Sequence, residues 1–510
     1  MTDGGVAGLT RSMVQARHVA WLLAAGLGAV VVAAGIAGES SAVAFGLLGL
    51  LALGTWIAWG HGPRRLLVAG LYFLAPIDVS KAIVAPLDRF YSPGLYLSVA
   101  HVALLALAAL WLAQRLLIER RPPPFTRLDA AGLAFLAIVL LRTVGSPQGE
   151  LAWASAAAYA LAVLGFYVAS HALETPEDLQ LALRAAALAV AAEFLWVGAQ
   201  VATHTALALP GSKVVPSGDM LYFGGAGEAF RPSGFLSHPN ALADHMTLVL
   251  PPALALVLLG RKHLPPRLWW GALALGGAAL AMLLVTLSRG GWAAFLLGAG
   301  WVVLAGWRRG VLTRTHLLRM AAAGAASLVV LVAVYPQILL RLTAPDERST
   351  ESRLILTDQA LTIIGHAPWT GVGYGGYNRA AYEYIAPRFA YVSEDYQQAL
   401  LQLVVHNHYL LLAAELGVPA MLYFAWLMWR FIRQPAPWRA WDDPGAFALA
   451  AGLSGALLSQ ALFLASDNFY ADIRIFMIWL TAGTLQALCL QQARRREAER
   501  AWLDLAVARP

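Results

Sequence analysis

Charge is what this chain has least of. Only 13% of its 510 residues are charged, against about 25% in an ordinary soluble domain. Hydrophobic residues make up 59%, and the mean hydropathy is +0.63. A soluble core cannot absorb that much apolar surface. The composition therefore excludes a soluble enzyme, a disordered tail protein and a coiled coil. Cysteine is nearly missing as well. The single Cys489 excludes a disulfide framework and any multi-cysteine metal site, and reads as a small apolar residue in a helix. Lysine is scarce too, with three beside 33 arginines. No fixed-period repeat and no low-complexity linker divides the chain, so residues 1–510 are expected to form one integral membrane domain. No cleavable signal peptide is expected. The first apolar run, His18 to Ala37, is long enough to span a bilayer, and no A-x-A-like site before a soluble domain follows it.

What is present in quantity is apolar runs of spanning length, about 20 residues each. Candidate spans lie near 18–37, 41–60, 65–84, 94–117, 129–145, 151–170, 183–203, 239–260, 267–287, 290–307, 317–340, 409–433, 445–465 and 472–490. Pro76, Asp78 and Lys81 interrupt the third, which reads as a broken or re-entrant segment. The expected fold is all-α, a polytopic transmembrane helical bundle of about 12–14 spans.

The net charge of +7 and pI near 9.6 would point to nucleic acid in a soluble protein. In a membrane chain they point first to cytoplasmic loops rich in arginine, and no nucleic-acid partner is expected. With the N-terminus inside, about 24 of the 36 basic residues fall on the cytoplasmic side. The short segments 261–267 and 308–319 are plainly basic. Both termini are therefore placed inside, and the long loops 204–238 and 341–408 outside. The second is long for a loop without a job. Within it, Glu351 to Gly365 reads as a helix. Leu354, Leu356, Ala360, Leu361, Ile363 and Ile364 form its apolar face, set to lie on the membrane surface or against the bundle. Trp269, Trp270, Trp307, Trp429, Trp438 and Trp441 fall near the inner interface, as an aromatic belt would.

That topology gathers four polar groups at the outer face. Arg231 sits in Phe230-Arg231-Pro232-Ser233-Gly234-Phe235, shortly before Pro239-Asn240. Arg289 sits in the tight turn Ser288-Arg289-Gly290-Gly291. His406, Asn407 and His408 close the long loop. Asp467, Asn468, Asp472 and Arg474 lie in the last outer turn. Arginines near membrane depth are costly, and are usually functional or paired. A guanidinium fork suits a diphosphate. A salt bridge from Arg289 to Asp467 or Asp472, or snorkelling to lipid phosphate, is the plainer alternative. His406 could serve as a general base, or as a helix cap. His406 and His408 are splayed by their i, i+2 spacing, and no metal site is expected. Gly371-Val372-Gly373-Tyr374-Gly375-Gly376 is literally GxGxxG. The strand, crossover helix and following acid of a dinucleotide site are absent, so a glycine-rich turn packed on the bundle is the reading.

These residues resemble the O-antigen ligase and polymerase superfamily of membrane glycosyltransferases. The pieces that carry the resemblance are Arg231-Pro-Ser-Gly-Phe with Pro239-Asn240, then Leu287-Ser288-Arg289-Gly290-Gly291. Arg353 follows, with Pro368-Trp369-Thr370-Gly371-Val372-Gly373-Tyr374-Gly375. Last come His406-Asn407-His408-Tyr409-Leu410 and Glu415-Leu416-Gly417. The resemblance implies a bacterial inner-membrane protein with a GT-C-type helical fold and a periplasmic active site. It implies a glycan donor carried on undecaprenyl diphosphate, and an acceptor that is a growing polysaccharide or lipid A core. Arg231 and Arg289 would hold the diphosphate, and His406 would activate the acceptor hydroxyl. Asp467 or Asp472 would be the late acidic residue. Arg474, Arg353 and His408 stand as further candidates. No cofactor and no metal is implied. The rival function class is a transporter or flippase of lipid-linked glycan, for which paired half-sites at the bilayer midplane would be expected.

Overall fold

The computed structural model describes residues 62–84, 95–205, 207, 222–223, 229–236, 238–343, 347–385, 403–468 and 473–507. The spans expected near 18–37 and 41–60, and Asp472, lie outside the described residues. The described part is an α-helical bundle. In chain order it contains α1 (Pro63–Leu74), β1 (Ser80–Val84), β2 (Leu95–Ser98), α2 (Val99–Ala113, continued by a π-helical turn Gln114–Ile118) and α3 (Arg127–Thr143). Then come α4 (Glu150–Ala172), α5 (Pro176–Thr203), β3 (Tyr222–Phe223), β4 (Ala229–Phe230), α6 (Pro239–Leu259), α7 (Pro266–Val285) and α8 (Arg289–Arg308). The C-terminal part holds α9 (Arg314–Val334), α10 (Gln337–Thr343), α11 (Glu347–His366), α12 (Tyr377–Ile385), α13 (His408–Leu416), α14 (Val418–Arg433), α15 (Pro444–Phe463) and α16 (Ile473–Val507). Among the described residues, eight helices are long and apolar enough to cross a membrane: α2 with its π turn, α4, α5, α6, α7, α8, α15 and α16.

The starts of these helices are written in the sequence. Pro63, Pro176, Pro239, Pro266 and Pro444 stand in the first turn, where a missing N–H costs nothing. Thr126 and Thr175 form capping boxes with Asp129 and Asp178. Three apolar runs differ from single spans. The 65–84 run stops as a helix at Leu74 and returns as β1, paired antiparallel with β2, so the break expected there is present. The 317–340 run divides between α9 and α10 at Tyr335-Pro336, because proline cannot donate to a helix interior. The 409–433 run is two helices, not one. Gly417 at φ +91 ends α13 and opens α14. Among the described residues, two short antiparallel strand pairs thus accompany the otherwise helical fold.

α6, α8 and α15 pack tightly at one side. A Cβ added at Gly455 would lie 2.8 Å from the Gly298 carbonyl oxygen, so small residues set this helix spacing. On the other side α3, α4, α14 and α16 bury an aromatic core. Phe135 stacks on Trp479 at 6.3 Å, and Phe166 meets Phe431 at 5.0 Å. The 341–408 segment holds more than the one short helix expected. α11 and α12 pack on α13 through Leu356, Ala360, Ile363, Tyr377, Ala381 and Val405, all buried. The face expected on the Glu351–Gly365 helix therefore lies against the bundle, with Leu354 and Leu361 left exposed.

Candidate active site

The turn from Leu464 to Asn468, between α15 and α16, is the centre of the site. The end of the long loop docks on it by backbone: the His408 N–H donates to the carbonyls of Leu464 (2.8 Å) and Asp467 (3.2 Å). Asn407 then caps α13, accepting from the Leu410 N–H at 3.1 Å. These two constraints turn neighbouring histidines in opposite directions. His408 is buried, with Nε2 2.8 Å from the Tyr159 hydroxyl and its ring edge-on to Phe424. His406 stays on the open side and points Nδ1 at Asp467 Oδ1, 3.2 Å away.

Asp467 is itself held. Arg474, in the first turn of α16, donates Nη1 to Asp467 Oδ2 at 3.2 Å and Nη2 to the Asn468 carbonyl at 3.0 Å. Burial alone would raise the Asp467 carboxyl. The hydrogen bond from His406 and the charge of Arg474 outweigh it, and hold the acid well below the usual carboxylate range. Asp467 is therefore an anion at neutral pH. An anion at Oδ1 makes Nδ1 of His406 the protonated nitrogen and leaves Nε2 as the basic one. An imidazole oriented by a carboxylate, which an arginine orients in turn, can act chemically as a proton acceptor.

His238 belongs to this neighbourhood. Burial lowers its pKa to about 4; Asp467 pulls it up, while Arg231, Arg474 and His406 push it down. Its neutral ring caps α6, with Nδ1 accepting from the Asn240 N–H at 3.0 Å. The sequence motif contains His238 without marking a role for it.

Arg231 reaches across to the turn before α8. Its Nε donates to the Thr286 carbonyl at 2.7 Å and its Nη2 to Asn240 Oδ1 at 2.9 Å. Those bonds use two of its five N–H donors. Leu287 in that turn has φ +52, a left-handed conformation that costs a branched side chain energy. Buried Arg341 captures its carbonyl at 3.0 Å. Arg231 and Arg341 together brace the turn that presents Arg289. Ser288 caps α8, and Arg289 is the exposed first residue of that helix. Gly290 lies against the central turn: a Cβ there would stand 2.9 Å from Ser466 Oγ, next to Asp467. Arg289, His406, Asp467 and Arg474 are thus brought to one end of the bundle, with His238 and Arg231 beside them. Arg353 stands exposed on α11, outside this group.

The Arg231 segment is clamped from α5. Gln200 Oε1 accepts from the N–H groups of Ser233 (3.2 Å) and Gly234 (2.9 Å). Glu193 Oε1 accepts from Phe235 N–H at 3.3 Å, while its Oε2 meets His245 Nδ1 at 2.7 Å. Sequence reading did not identify Glu193, Gln200, His245 or Arg341. Their partners are 33 to 54 residues away, so no local spacing could mark them. The GxGxxG run is the packed turn expected. Val372 and Gly373 donate to the Ala414 and Glu415 carbonyls at 2.9 and 3.0 Å, which ties the run to the end of α13. Among the described residues no three His, Cys, Asp or Glu side chains form a group able to hold a metal.

Residues 275–425 match the O-antigen ligase family. The matched stretch holds the Arg289 turn, the long loop, His406 and the α13–α14 break. A search of curated proteins gave no match. Within a polytopic helical bundle, residues 275–425 are thus the stretch of this chain that is similar to the O-antigen ligase family of membrane proteins.

Proposed function

We propose that the protein is a lipid-diphosphate-dependent glycosyltransferase, and that residues 1–510 work as one membrane domain with the 341–408 segment as part of its site. The donor is a glycan on undecaprenyl diphosphate. The acceptor is a sugar hydroxyl of a growing polysaccharide or of lipid A core. The reaction takes place at the periplasmic face of the inner membrane. The observation that carries this reading is the His406–Asp467–Arg474 chain, standing at the same bundle end as Arg289.

The chemistry follows from those groups. His406 takes the acceptor's hydroxyl proton at Nε2, and Asp467 stabilises the imidazolium that forms. The acceptor oxygen bonds to the anomeric carbon as the bond from that carbon to the diphosphate oxygen breaks, with inversion. The carrier leaves as a lipid diphosphate anion. Charge grows on the leaving group, and Arg289 meets it at the positive end of α8. Arg231 adds charge beside it while fixing the turn. A diphosphate leaves well by itself, so the site's main tasks are a base and a fixed cation.

The test is incubation of purified protein with a defined lipid-linked glycan and candidate acceptors. New glycosidic product with release of lipid diphosphate supports the reading, and the acceptor that works names the subfamily. Movement of the intact glycolipid across vesicles with no product would replace it with a transporter.

A further inference from the structure

A cavity lies at the far end of the bundle from the candidate active site. α8 carries Arg289 at one end and Arg308 at the other, about 30 Å apart for a helix of 20 residues. At the Arg308 end, a space of about 690 Å³ is lined by Trp301, Trp307, Trp438, Arg308, Arg433 and Arg439. No acid lines it, and among the described residues no carboxylate holds any of these three arginines.

The walls are fixed before any ligand arrives. Trp301 donates Nε1 to Ser454 Oγ at 2.8 Å and meets the Trp438 ring edge-on at 6.2 Å. Arg309 donates to the carbonyls of Trp438 (2.7 Å) and Trp441, which pins the loop that carries Arg439. The Arg433 guanidinium lies 5.3 Å from the Trp429 ring centroid. Trp307 is 57% exposed and Trp429 45% exposed, so the aromatic rim faces outward at the level of the helix ends.

Three cations with no acid among them, gathered in one apolar-walled space at a membrane interface, call for an anion with an apolar tail. We propose that this cavity binds the phosphate headgroup of an anionic phospholipid of the leaflet opposite the candidate active site. Arginine forks bond the phosphate oxygens, and the tryptophans flank the glycerol and upper acyl region. A free phosphate would satisfy the arginines but would make no use of the tryptophan walls. The site is separate from the proposed transfer chemistry and does not depend on it.

The test uses the full chain purified in detergent, with native mass spectrometry of bound phosphatidylglycerol, phosphatidylcholine and inorganic phosphate. Phosphatidylglycerol should bind at least about tenfold more tightly than phosphatidylcholine. Each arginine near an anionic surface is worth about fivefold. The triple variant Arg308→Gln, Arg433→Gln, Arg439→Gln should therefore lose on the order of 100-fold in phosphatidylglycerol affinity. The matching triple lysine variant, which keeps the charge, should stay within about tenfold of the parent. Equal retention of the two lipids by the parent would overturn the proposal without recourse to any variant. So would an unchanged affinity in the glutamine variant. Complete displacement of phosphatidylglycerol by millimolar inorganic phosphate would assign the site to free phosphate instead.

Discussion

Asp467→Asn isolates the role of the carboxylate from its shape. In the native arrangement Asp467 accepts from His406 at Oδ1 and from Arg474 at Oδ2, both at 3.2 Å. The Asn468 N–H also donates to Oδ1, at 2.9 Å, but the charged Arg474 makes the stronger bond and draws the oxygen of the introduced amide. The NH2 group then faces His406 Nδ1 and forces that nitrogen to accept, which moves the ring proton to Nε2, where the base needs a lone pair. The lost charge adds to this. Two unit charges 3.2 Å apart attract by about 5 kcal/mol at an effective dielectric near 20. His406 is 36% exposed, and solvent screening removes about half of that, leaving about 2–3 kcal/mol of imidazolium stabilisation. That is about 30- to 160-fold in turnover, and the wrong tautomer brings the loss to on the order of 10² or more. The assay is turnover of lipid-linked glycan at saturating donor by Asp467→Asn, His406→Ala and the double variant, with thermal midpoints as the folding control. Because both residues act through one proton transfer, Asp467→Asn should cost little once His406 is gone. Near-parental turnover in Asp467→Asn, or losses that simply multiply in the double variant, would refute the reasoning.

Arg289→Lys should impair transfer while expression stays near normal, and alanine should cost more, because lysine keeps the charge but loses the fork. Arg231→Ala should lower both turnover and thermal midpoint, since the Thr286 carbonyl and Asn240 lose a buried partner, typically about 2–5 kcal/mol. Near-parental activity with alanine at both positions would remove the diphosphate assignment. Gly371→Ala should abolish stable expression. φ is +64 there, and a Cβ would stand 2.6 Å from the Leu416 backbone nitrogen; parental yield and midpoint would contradict this. His238 titrates near 6.5 when unfolded and at about 4 in the fold. Its depressed value means that its stabilisation is complete above about 6.5 and is lost as pH falls toward 4, by up to about 3 kcal/mol. The thermal midpoint should fall over that window, and His238→Gln should flatten the fall. Asp467 adds its own loss only below the ordinary carboxylate range.

The candidate site residues were legible because membrane depth makes polar groups expensive. Arg231, Arg289, His406 and Asp467 stand out against apolar surroundings, and one charge bias puts them at one face. Their mutual distances were not legible, since it is the close approach of Gly290 to Ser466 that brings the start of α8 to the 464–468 turn. Asp467 and Asp472 looked equivalent in the sequence. The His406 and Arg474 bonds bring Asp467 into the group, while Asp472 lies outside the described residues. Hydropathy placed most helices but passed over the break at Gly417, because both halves are apolar and only the backbone sign changes. The clamp formed by Glu193, Gln200 and His245 was invisible for a different reason. Polar residues inside an apolar helix show that a partner exists, but not which one.

The central claim is that His406 is the base of a metal-independent glycan transfer. It is tested most directly by measuring turnover and donor affinity together for the parent, His406→Ala and His408→Ala, with and without EDTA. His406→Ala should lower turnover by roughly 10²–10⁴-fold and leave donor affinity within about threefold, because both arginines remain. His408→Ala removes a buried partner of Tyr159. It should lower the thermal midpoint and leave turnover per folded molecule within about tenfold. EDTA should change neither quantity. Intact turnover in His406→Ala, or EDTA inhibition reversed by a divalent ion, would contradict the account.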